Sequence, residues 1–213
     1  MESGMQSGTK NKMTFVFIRH GATKSNFEKR YIGKNSDESL SEEGKESLIK
    51  NREDNLYPAG DLYFSSIKKR CRESMETIYP GVKYESLIGL EEIDFGDFEG
   101  KSYEELKDDE RYIKWMESNG CMAFPNGESR DDFIKRSIIA FDKALQKADR
   151  FIDDNPDKEN PCFVFVVHGG TIMAIMDEYS DSDYYDCMVP TGGGFICEAT
   201  IDAEFKLEIV KKI

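Results

Sequence analysis

Several residue types that metal and redox proteins depend on are scarce in this sequence. The 213 residues include two histidines, and the five cysteines form no CxxC pair and no spacing typical of metal ligands. Scattered cysteines, odd in number, favour a reducing compartment, so we predict a cytoplasmic protein with no metal and no cofactor. No apolar run approaches the roughly 20 residues that cross a bilayer. Residues 1–12 are polar, without an apolar stretch that could act as a secretory signal, and we expect them to form a flexible tail.

Positive charge is scarce as well. Lysine and arginine total 29 against 42 acidic residues, which gives a formal net charge of -13. Nucleic acids and anionic membranes need a broad basic surface, so we expect neither as a partner. An anionic small molecule must then be captured by a local cationic pocket. The composition, 38% hydrophobic and 33% charged, is typical of a globular protein. We expect one domain over residues 13–213, as a monomer or a homodimer.

Strand and helix patterns alternate along the chain. Short apolar runs predict strands at 14–18, 61–65, 163–167 and 195–198, with one more near the C-terminus. Helical patterns cover 41–52, a stretch carrying Arg70, 102–118, 129–151 and 171–178. In the helix at 102–118 we expect Leu106, Tyr112, Ile113 and Trp115 to face inward. This alternation predicts an α/β fold, a three-layer αβα sandwich with a mostly parallel central sheet covered on both faces.

The two histidines stand in matching positions. His20 and His168 each follow a predicted buried strand and precede a glycine. Ligands of parallel α/β sheets bind beyond the carboxyl ends of the strands, so both histidines should lie at one edge. Gly169 lets a ligand approach the backbone and exposes amide groups to an anion. The helix predicted after His168 adds the positive end of its dipole.

Three interpretations of these histidines remain open from the residues alone. Each could be a structural side chain at a strand end, or a metal ligand, although no HxH or HxxxH spacing occurs. The third is covalent catalysis, in which a phosphoryl group rests on an imidazole nitrogen between two easier steps. Phosphoryl oxygens are best matched by arginine, and Arg19 adjoins His20. Arg70 follows the second strand, where it either points to the same edge or is a solvated charge beside Lys68 and Lys69.

A longer set of motifs surrounds these residues. Arg19-His20-Gly21-Ala22-Thr23 is followed, in order, by Asn26, Gly33, Leu40 to Gly44, Ser65-Ser66 with Arg70, Leu90 to Gly100, Pro125 to Ser129, and Val167 to Gly170. This ordered set, from residue 14 to about residue 171, resembles the histidine phosphatase superfamily, which includes the cofactor-dependent phosphoglycerate mutases. An RHG tripeptide alone would be weak evidence, whereas the ordered set is specific. The resemblance implies a phosphoglycerate mutase-like fold.

The resemblance also implies roles for individual residues. His20 would be the nucleophile, with its other ring nitrogen bonded to an acceptor that we expect to be a backbone carbonyl. Glu92 would be the general acid, although its place between Glu91 and Asp94 also fits a plain acidic turn. His168 would stabilise charge on the phosphoryl oxygens. The remaining contacts to phosphate would come from Arg19, Arg70, Thr23, Asn26 and Gly169.

The implied activity is metal-independent hydrolysis of a small phosphomonoester through a phosphohistidine. Mutases of this kind commonly carry an arginine directly after the acid, and here that position is Ile93. The landmarks Phe98-Glu99-Gly100 and Pro125 to Ser129 look most like α-ribazole phosphatases, so α-ribazole 5'-phosphate is a candidate substrate. Two alternatives remain: a phosphoglycerate mutase, and a phosphate-binding module without catalysis, because fold does not fix function.

Overall fold

A six-stranded sheet runs through the part of the chain that the computed structural model describes, residues 12–201 and 204–213. Its strands, in the spatial order β3-β2-β4-β1-β5-β6, are β1 (Met13–Arg19), β2 (Leu62–Ser66), β3 (Glu85–Leu87), β4 (Cys162–Val167), β5 (Gly194–Ile201) and β6 (Phe205–Lys212). The first four strands pair in parallel, while β5 and β6 are antiparallel. The predicted mostly parallel sheet is therefore confirmed.

Seven α-helices accompany this sheet within the same residues. They are α1 (Lys24–Phe27), α2 (Glu42–Glu53), α3 (Lys69–Ile78), α4 (Tyr103–Leu106), α5 (Glu110–Glu117), α6 (Arg130–Asp154) and α7 (Gly169–Tyr179). Serine side chains cap the N-termini of α2 and α6: the hydroxyl of Ser41 accepts from the amide of Gly44, and that of Ser129 accepts from the amide of Asp132. Such caps typically contribute about 1 kcal/mol each. They define where α2 and α6 begin.

Both faces of the sheet are covered, as the unbroken apolar run of β4 predicts. Phe15 and Phe17 of β1 pack in one core cluster with Phe141 of α6. Val16 and Ile18, which alternate with them, belong to a second cluster that includes residues of α2 and α3. This period of two along β1 places helices on opposite sides of the sheet. The three-layer α/β sandwich is confirmed.

A third cluster lies apart from the sheet. It is built from the segment 95–124, which we call the aromatic lobe, around Phe98, Leu106, Tyr112 and Phe124. The prediction of one helix over 102–118 is wrong, because the chain turns after α4 and Asp109 caps a separate helix α5. Ile113 was expected to face inward but is 41% exposed. Tyr112 is the residue of α5 that the lobe buries.

Two expectations concern the ends of the chain. The predicted tail at 1–12 lies outside the described residues except for Lys12, and the single domain over 13–213 stays a prediction. No helix among residues 12–201 and 204–213 combines the length and apolar character needed to span a bilayer.

Candidate active site

His20 follows the last residue of β1, and its ring is fixed in one orientation. The side chain is buried, and Nδ1 lies 2.7 Å from the carbonyl oxygen of Gly21. When Nδ1–H donates to this oxygen, Nε2 carries the lone pair of the ring. The backbone carbonyl that we expected as its partner is therefore present. The same turn is held by Ser74, whose hydroxyl accepts from the Gly21 amide at 2.9 Å.

Arg70 donates a hydrogen bond to the second ring nitrogen of His20. It is the second residue of α3, and its Nε lies 3.3 Å from Nε2 of His20. Nη1 donates to the carbonyl of Ser36 at 3.0 Å, and Nη2 to that of Gly33 at 3.1 Å. The side chain is fully buried, so the interpretation of Arg70 as a solvated charge is wrong. Three bonds hold its guanidinium against the imidazole.

His168 lies beside His20 and precedes the first turn of α7. The two ring centroids are 5.2 Å apart and the ring planes cross at 68°. His168 is fully buried, and its Nε2 is 2.9 Å from the hydroxyl of Ser66 at the end of β2. The thiol of Cys71 lies 3.4 Å from the same nitrogen. Three strand ends therefore meet here, those of β1, β2 and β4.

Arg19 completes the cationic surroundings of the imidazoles. Nη1 donates to the carbonyl of Val189 at 2.8 Å, whereas the buried Nε makes no hydrogen bond within the described residues. A Cβ at Gly169 would lie 3.4 Å from the Arg19 guanidinium, an ordinary van der Waals contact, so the two residues pack directly against one another. Arg19 and Gly169 thus adjoin at the start of α7.

Thr23 and Asn26 bond to one another. Asn26 Oδ1 accepts from the amide of Thr23 at 3.0 Å and from its hydroxyl at 3.2 Å, and the pair forms the capping box of α1. The structure therefore gives both side chains a local role in beginning this helix. Contact of either with phosphate stays a prediction.

Glu92 faces the same edge from the loop after β3. One carboxylate oxygen accepts from the amide of Gly170 in the first turn of α7 at 3.0 Å, and the other accepts from Ile93 at 3.0 Å. A Cβ at Gly170 would collide with this carboxylate, so a larger residue there would displace Glu92 from its present position. Glu92 therefore bonds to the first turn of α7, and His168 is the N-cap residue of the same helix.

Arg136 of α6 holds the loop that carries Glu92. Its Nη1 donates to the carbonyls of Gly89 and Glu91 at 2.9 Å each, and its Nη2 donates to that of Glu92 at 2.8 Å. Two further bonds, at 2.6 and 2.7 Å, join it to Glu128. Burial, the largest single influence, raises the pKa of Glu128, but the bonds from Arg136 and from a backbone amide, together with the nearby positive charges, outweigh it, so that the pKa is lowered. A charged, half-buried pair thus fixes the backbone of Glu92.

Burial and positive charge keep both imidazoles neutral. Burial lowers the pKa of His20 well below its usual value, and the charges of Arg70 and Arg19 lower it further. Burial lowers the pKa of His168 in the same way, again with Arg70 as the largest nearby charge. A neutral imidazole has the lone pair that a nucleophile needs, and the neighbouring guanidinium groups suit an anionic ligand.

A cavity of about 480 Å³ opens beside this cluster. Arg19, Glu92, Gly169 and Gly170 line one part of it, and residues of the aromatic lobe line another. Glu92 therefore lies between the cluster of histidines and arginines on one side and, on the other, a cavity large enough to hold an organic group.

Metal ligands do not gather in the described part of the chain. No group of three histidine, cysteine, aspartate or glutamate side chains there is arranged to hold an ion. The charges that surround His20 are those of arginines, which match an anion.

The order of motifs, the fold and this cluster agree with one family. Residues 15–187 match the histidine phosphatase superfamily (branch 1), and the chain belongs to that superfamily. Curated protein sequences gave no match.

Solved structures resemble the whole fold. The α-ribazole phosphatase from Shigella flexneri is 21% identical, with a TM-score of 0.73 over 92% of this chain and 95% of that one. A phosphoglycerate mutase from Thermus thermophilus is 25% identical, with a TM-score of 0.63 over 94% and 98%. Mycobacterial hydrolase 1 is 20% identical, with a TM-score of 0.76 over 95% and 98%. These similarities support the phosphoglycerate mutase-like fold.

Several residues of the site were not found from the sequence. Ser66 stands in one of the motifs but was given no role, and Ser74 was not singled out; the structure shows that both bond to the histidine turns. The contacts of Arg136 with the Glu92 loop span 44 to 47 residues of sequence, and no local pattern indicates them.

Proposed function

We propose that this protein is a phosphatase that hydrolyses small phosphomonoesters through a phosphohistidine on His20, without a metal. The observation that carries the proposal is the position of Arg70 Nε, 3.3 Å from Nε2 of His20, while Nδ1 is bonded to a backbone carbonyl. An imidazole held in this tautomer presents one nucleophilic nitrogen, and the guanidinium beside it can bind the oxygens of the phosphoryl group under attack.

In the first step, Nε2 of His20 attacks phosphorus. The N–P bond forms as the bond from phosphorus to the leaving oxygen breaks, and Glu92 donates a proton to that oxygen. Arg19, Arg70 and His168 bind the three phosphoryl oxygens, where charge is greatest in the transition state. Thr23, Asn26 and the Gly169 amide contribute further polar contacts in this proposal.

In the second step, water attacks the phosphohistidine. Glu92, now a carboxylate, takes the proton of the water, the P–N bond breaks, and inorganic phosphate leaves. The enzyme returns to its starting state, with neutral His20 and protonated Glu92. The cycle consumes one water for each monoester and needs no cofactor.

α-Ribazole 5'-phosphate is the particular substrate that we propose to test first. Support comes from the similarity in fold to the Shigella flexneri phosphatase and from the landmarks at 98–100 and 125–129. The mutase alternative has the Thermus thermophilus structure in its favour. Ile93, rather than an arginine, adjoins Glu92 and lines the cavity, which favours hydrolysis.

A panel assay with EDTA present tests the proposal. The panel holds p-nitrophenyl phosphate, α-ribazole 5'-phosphate and 3-phosphoglycerate. Release of phosphate supports the phosphatase, isomerisation of phosphoglycerate supports the mutase, and binding without turnover supports the phosphate-binding module.

Quenched-flow trapping then tests the intermediate. The wild type should accumulate an acid-labile, base-stable phosphoenzyme, and His20→Ala should form none. The matched variant His168→Ala should still form it, more slowly by about 10² to 10³. A phosphoenzyme of equal yield in His20→Ala would overturn the assignment of the nucleophile.

A further inference from the structure

The cavity beside Glu92 has aromatic walls. Six aromatic side chains line it: Tyr31, Phe95, Trp115, Phe124, Tyr184 and Tyr185. Among the described lining residues, Glu92 is the one carboxylate, and it is needed at the leaving oxygen. A polyol without a ring would bury several hydroxyl groups here, at a cost for each hydroxyl left without a partner, whereas a leaving group that carries an aromatic ring could bury that ring against these side chains.

The rings form two surfaces. Trp115 and Phe124 stack on one another with centroids 4.6 Å apart and planes 29° apart, and this stacked pair forms the first surface. Tyr184 and Tyr185 meet at 5.1 Å and 87°, so this pair presents a face and an edge. At Gly120, a Cβ would lie 3.3 Å from both Trp115 and the hydroxyl of Tyr185, so the two surfaces converge there. The space between them suits a flat group.

Arg130 adds a planar cation to the same cavity. Its guanidinium lies 5.8 Å from the ring centroid of Tyr184, and Nη2 is 3.5 Å from the thiol of Cys121. Its contacts within the described residues include no carboxylate at ion-pair distance. Guanidinium groups stack on aromatic faces, so Arg130 extends the surface that Tyr184 begins.

We propose that the leaving group of the natural substrate carries a planar aromatic ring system, attached directly or through a short linker or sugar, that packs between these two surfaces. The inference rests on the proposed function, because the ester oxygen must lie at Glu92 for the ring to reach the cavity. A volume of about 480 Å³ holds one ring or a fused pair. Ring faces and edges then make offset-stacked and edge-to-face contacts with the walls.

Alcohol leaving groups of similar basicity separate ring recognition from chemical reactivity. We compare kcat/KM for benzyl phosphate, cyclohexylmethyl phosphate and glycerol phosphate. Benzyl phosphate should exceed glycerol phosphate by about tenfold or more, from burial of the ring. It should exceed the non-planar cyclohexylmethyl ester by roughly three- to tenfold, from the aromatic contacts. Equal values for benzyl and glycerol phosphate would overturn the inference.

A variant at an exposed lining residue tests the ring subsite with little risk of disturbing the fold. Tyr185 is 53% exposed and lines the cavity, while Tyr103 is 55% exposed and does not line it. Tyr185→Ala should lower kcat/KM for benzyl phosphate by roughly three- to tenfold and leave glycerol phosphate within about twofold. The matched control Tyr103→Ala should change neither. Equal losses for both substrates in Tyr185→Ala would count against a ring subsite.

A binding measurement separates this inference from the proposed reaction. Benzylphosphonate and methylphosphonate cannot be hydrolysed, so calorimetric titration of both reports the cavity without turnover. Stronger binding of benzylphosphonate, lost in Tyr185→Ala, supports the ring subsite even if no monoester is hydrolysed, and the phosphatase proposal alone then fails. Turnover of monoesters with equal binding of the two phosphonates retains the phosphatase and removes the ring subsite.

Discussion

Arg70 Nε lies 3.3 Å from Nε2 of His20, and the same guanidinium is bonded to the carbonyls of Gly33 and Ser36. The nucleophilic nitrogen and a fixed positive charge therefore share one buried position. A cation this close lowers the pKa of His20 further than burial alone does, and it attracts the group that the nitrogen would attack.

Arg70→Lys tests whether the shape of this cation matters. Lysine keeps the charge but cannot make the forked bonds to Gly33 and Ser36, so we expect kcat/KM for p-nitrophenyl phosphate to fall about 10²- to 10³-fold. Arg72→Lys, two residues along α3 and exposed, is the control and should remain within about twofold. A loss below about threefold in Arg70→Lys would show that charge alone suffices.

Arg136→Lys tests whether the bonds to the Glu92 loop position the general acid. We expect a roughly tenfold fall in kcat/KM, which reports formation of the phosphohistidine, for benzyl phosphate, whose leaving oxygen needs the proton. For p-nitrophenyl phosphate, whose phenolate leaves without it, we expect a fall of less than about twofold. Glu92→Gln should show the same selectivity with a larger loss, about 10²- to 10⁴-fold for benzyl phosphate.

Arg150→Lys, an exposed position on the same helix, is the control for Arg136→Lys and should alter neither rate. Circular dichroism and urea unfolding of all variants report folding separately. Equal losses for the two substrates in Arg136→Lys would assign the arginine a purely structural role.

The neutral histidines make stability depend on pH. In the unfolded chain both titrate near pH 6.5, whereas burial lowers the pKa of His20 and His168 in the fold. The contribution of the two neutral histidines to the free energy of unfolding is therefore complete above about pH 6.5. It is lost as the pH falls from there toward the pKa values of the folded protein.

We expect the free energy of unfolding in urea, measured without phosphate, to decline from about pH 7 to about pH 5. The double variant His20→Gln, His168→Gln should show a smaller decline across that window, because the chain then has no histidine. Identical slopes for wild type and variant would mean that other groups set the dependence.

Cys71 should resist thiol reagents although it lies beside Arg70. Burial raises the pKa of the Cys71 thiol to about 12, against which the lowering by Arg70 is smaller. Iodoacetamide at about pH 8 should label the exposed Cys121 much faster, and urea should abolish the difference. Peptide mass spectrometry gives both rates, and similar rates for the two cysteines in the folded protein would contradict this prediction.

The sheet and the histidine positions could be predicted because their signals are local. The apolar run of β4 ends directly before His168, and the apolar run of β1 ends directly before Arg19 and His20. Because the carboxyl ends of parallel strands share one edge of the sheet, both histidines could be placed there. The three-residue strand β3 is too short to give a pattern, and α1 is a single turn. The break between α4 and α5 depends on the cap at Asp109, which a helical periodicity masks.

The remainder of the site depends on pairs that meet only in three dimensions. Ser66 bonds to His168 across 102 residues of sequence, and Arg136 reaches the carbonyl of Glu92 across 44. For Asn26, the sequence motif predicts a role that the contacts do not show: the motif indicates a phosphate contact, while the side-chain Oδ1 is bonded to Thr23 in a helix cap. Backbone carbonyls, such as those that hold Arg70, leave no trace in residue type.

The aromatic lobe has its own buried cluster around Phe98, Leu106, Tyr112 and Phe124, apart from the two clusters on the sheet. Under the proposed function, selectivity and chemistry therefore depend on different packing. Substitutions that accumulate in the aromatic lobe would reshape what the cavity accepts while the histidine and arginine geometry is inherited intact, and a lineage built on this plan would acquire new substrates without reinventing its reaction.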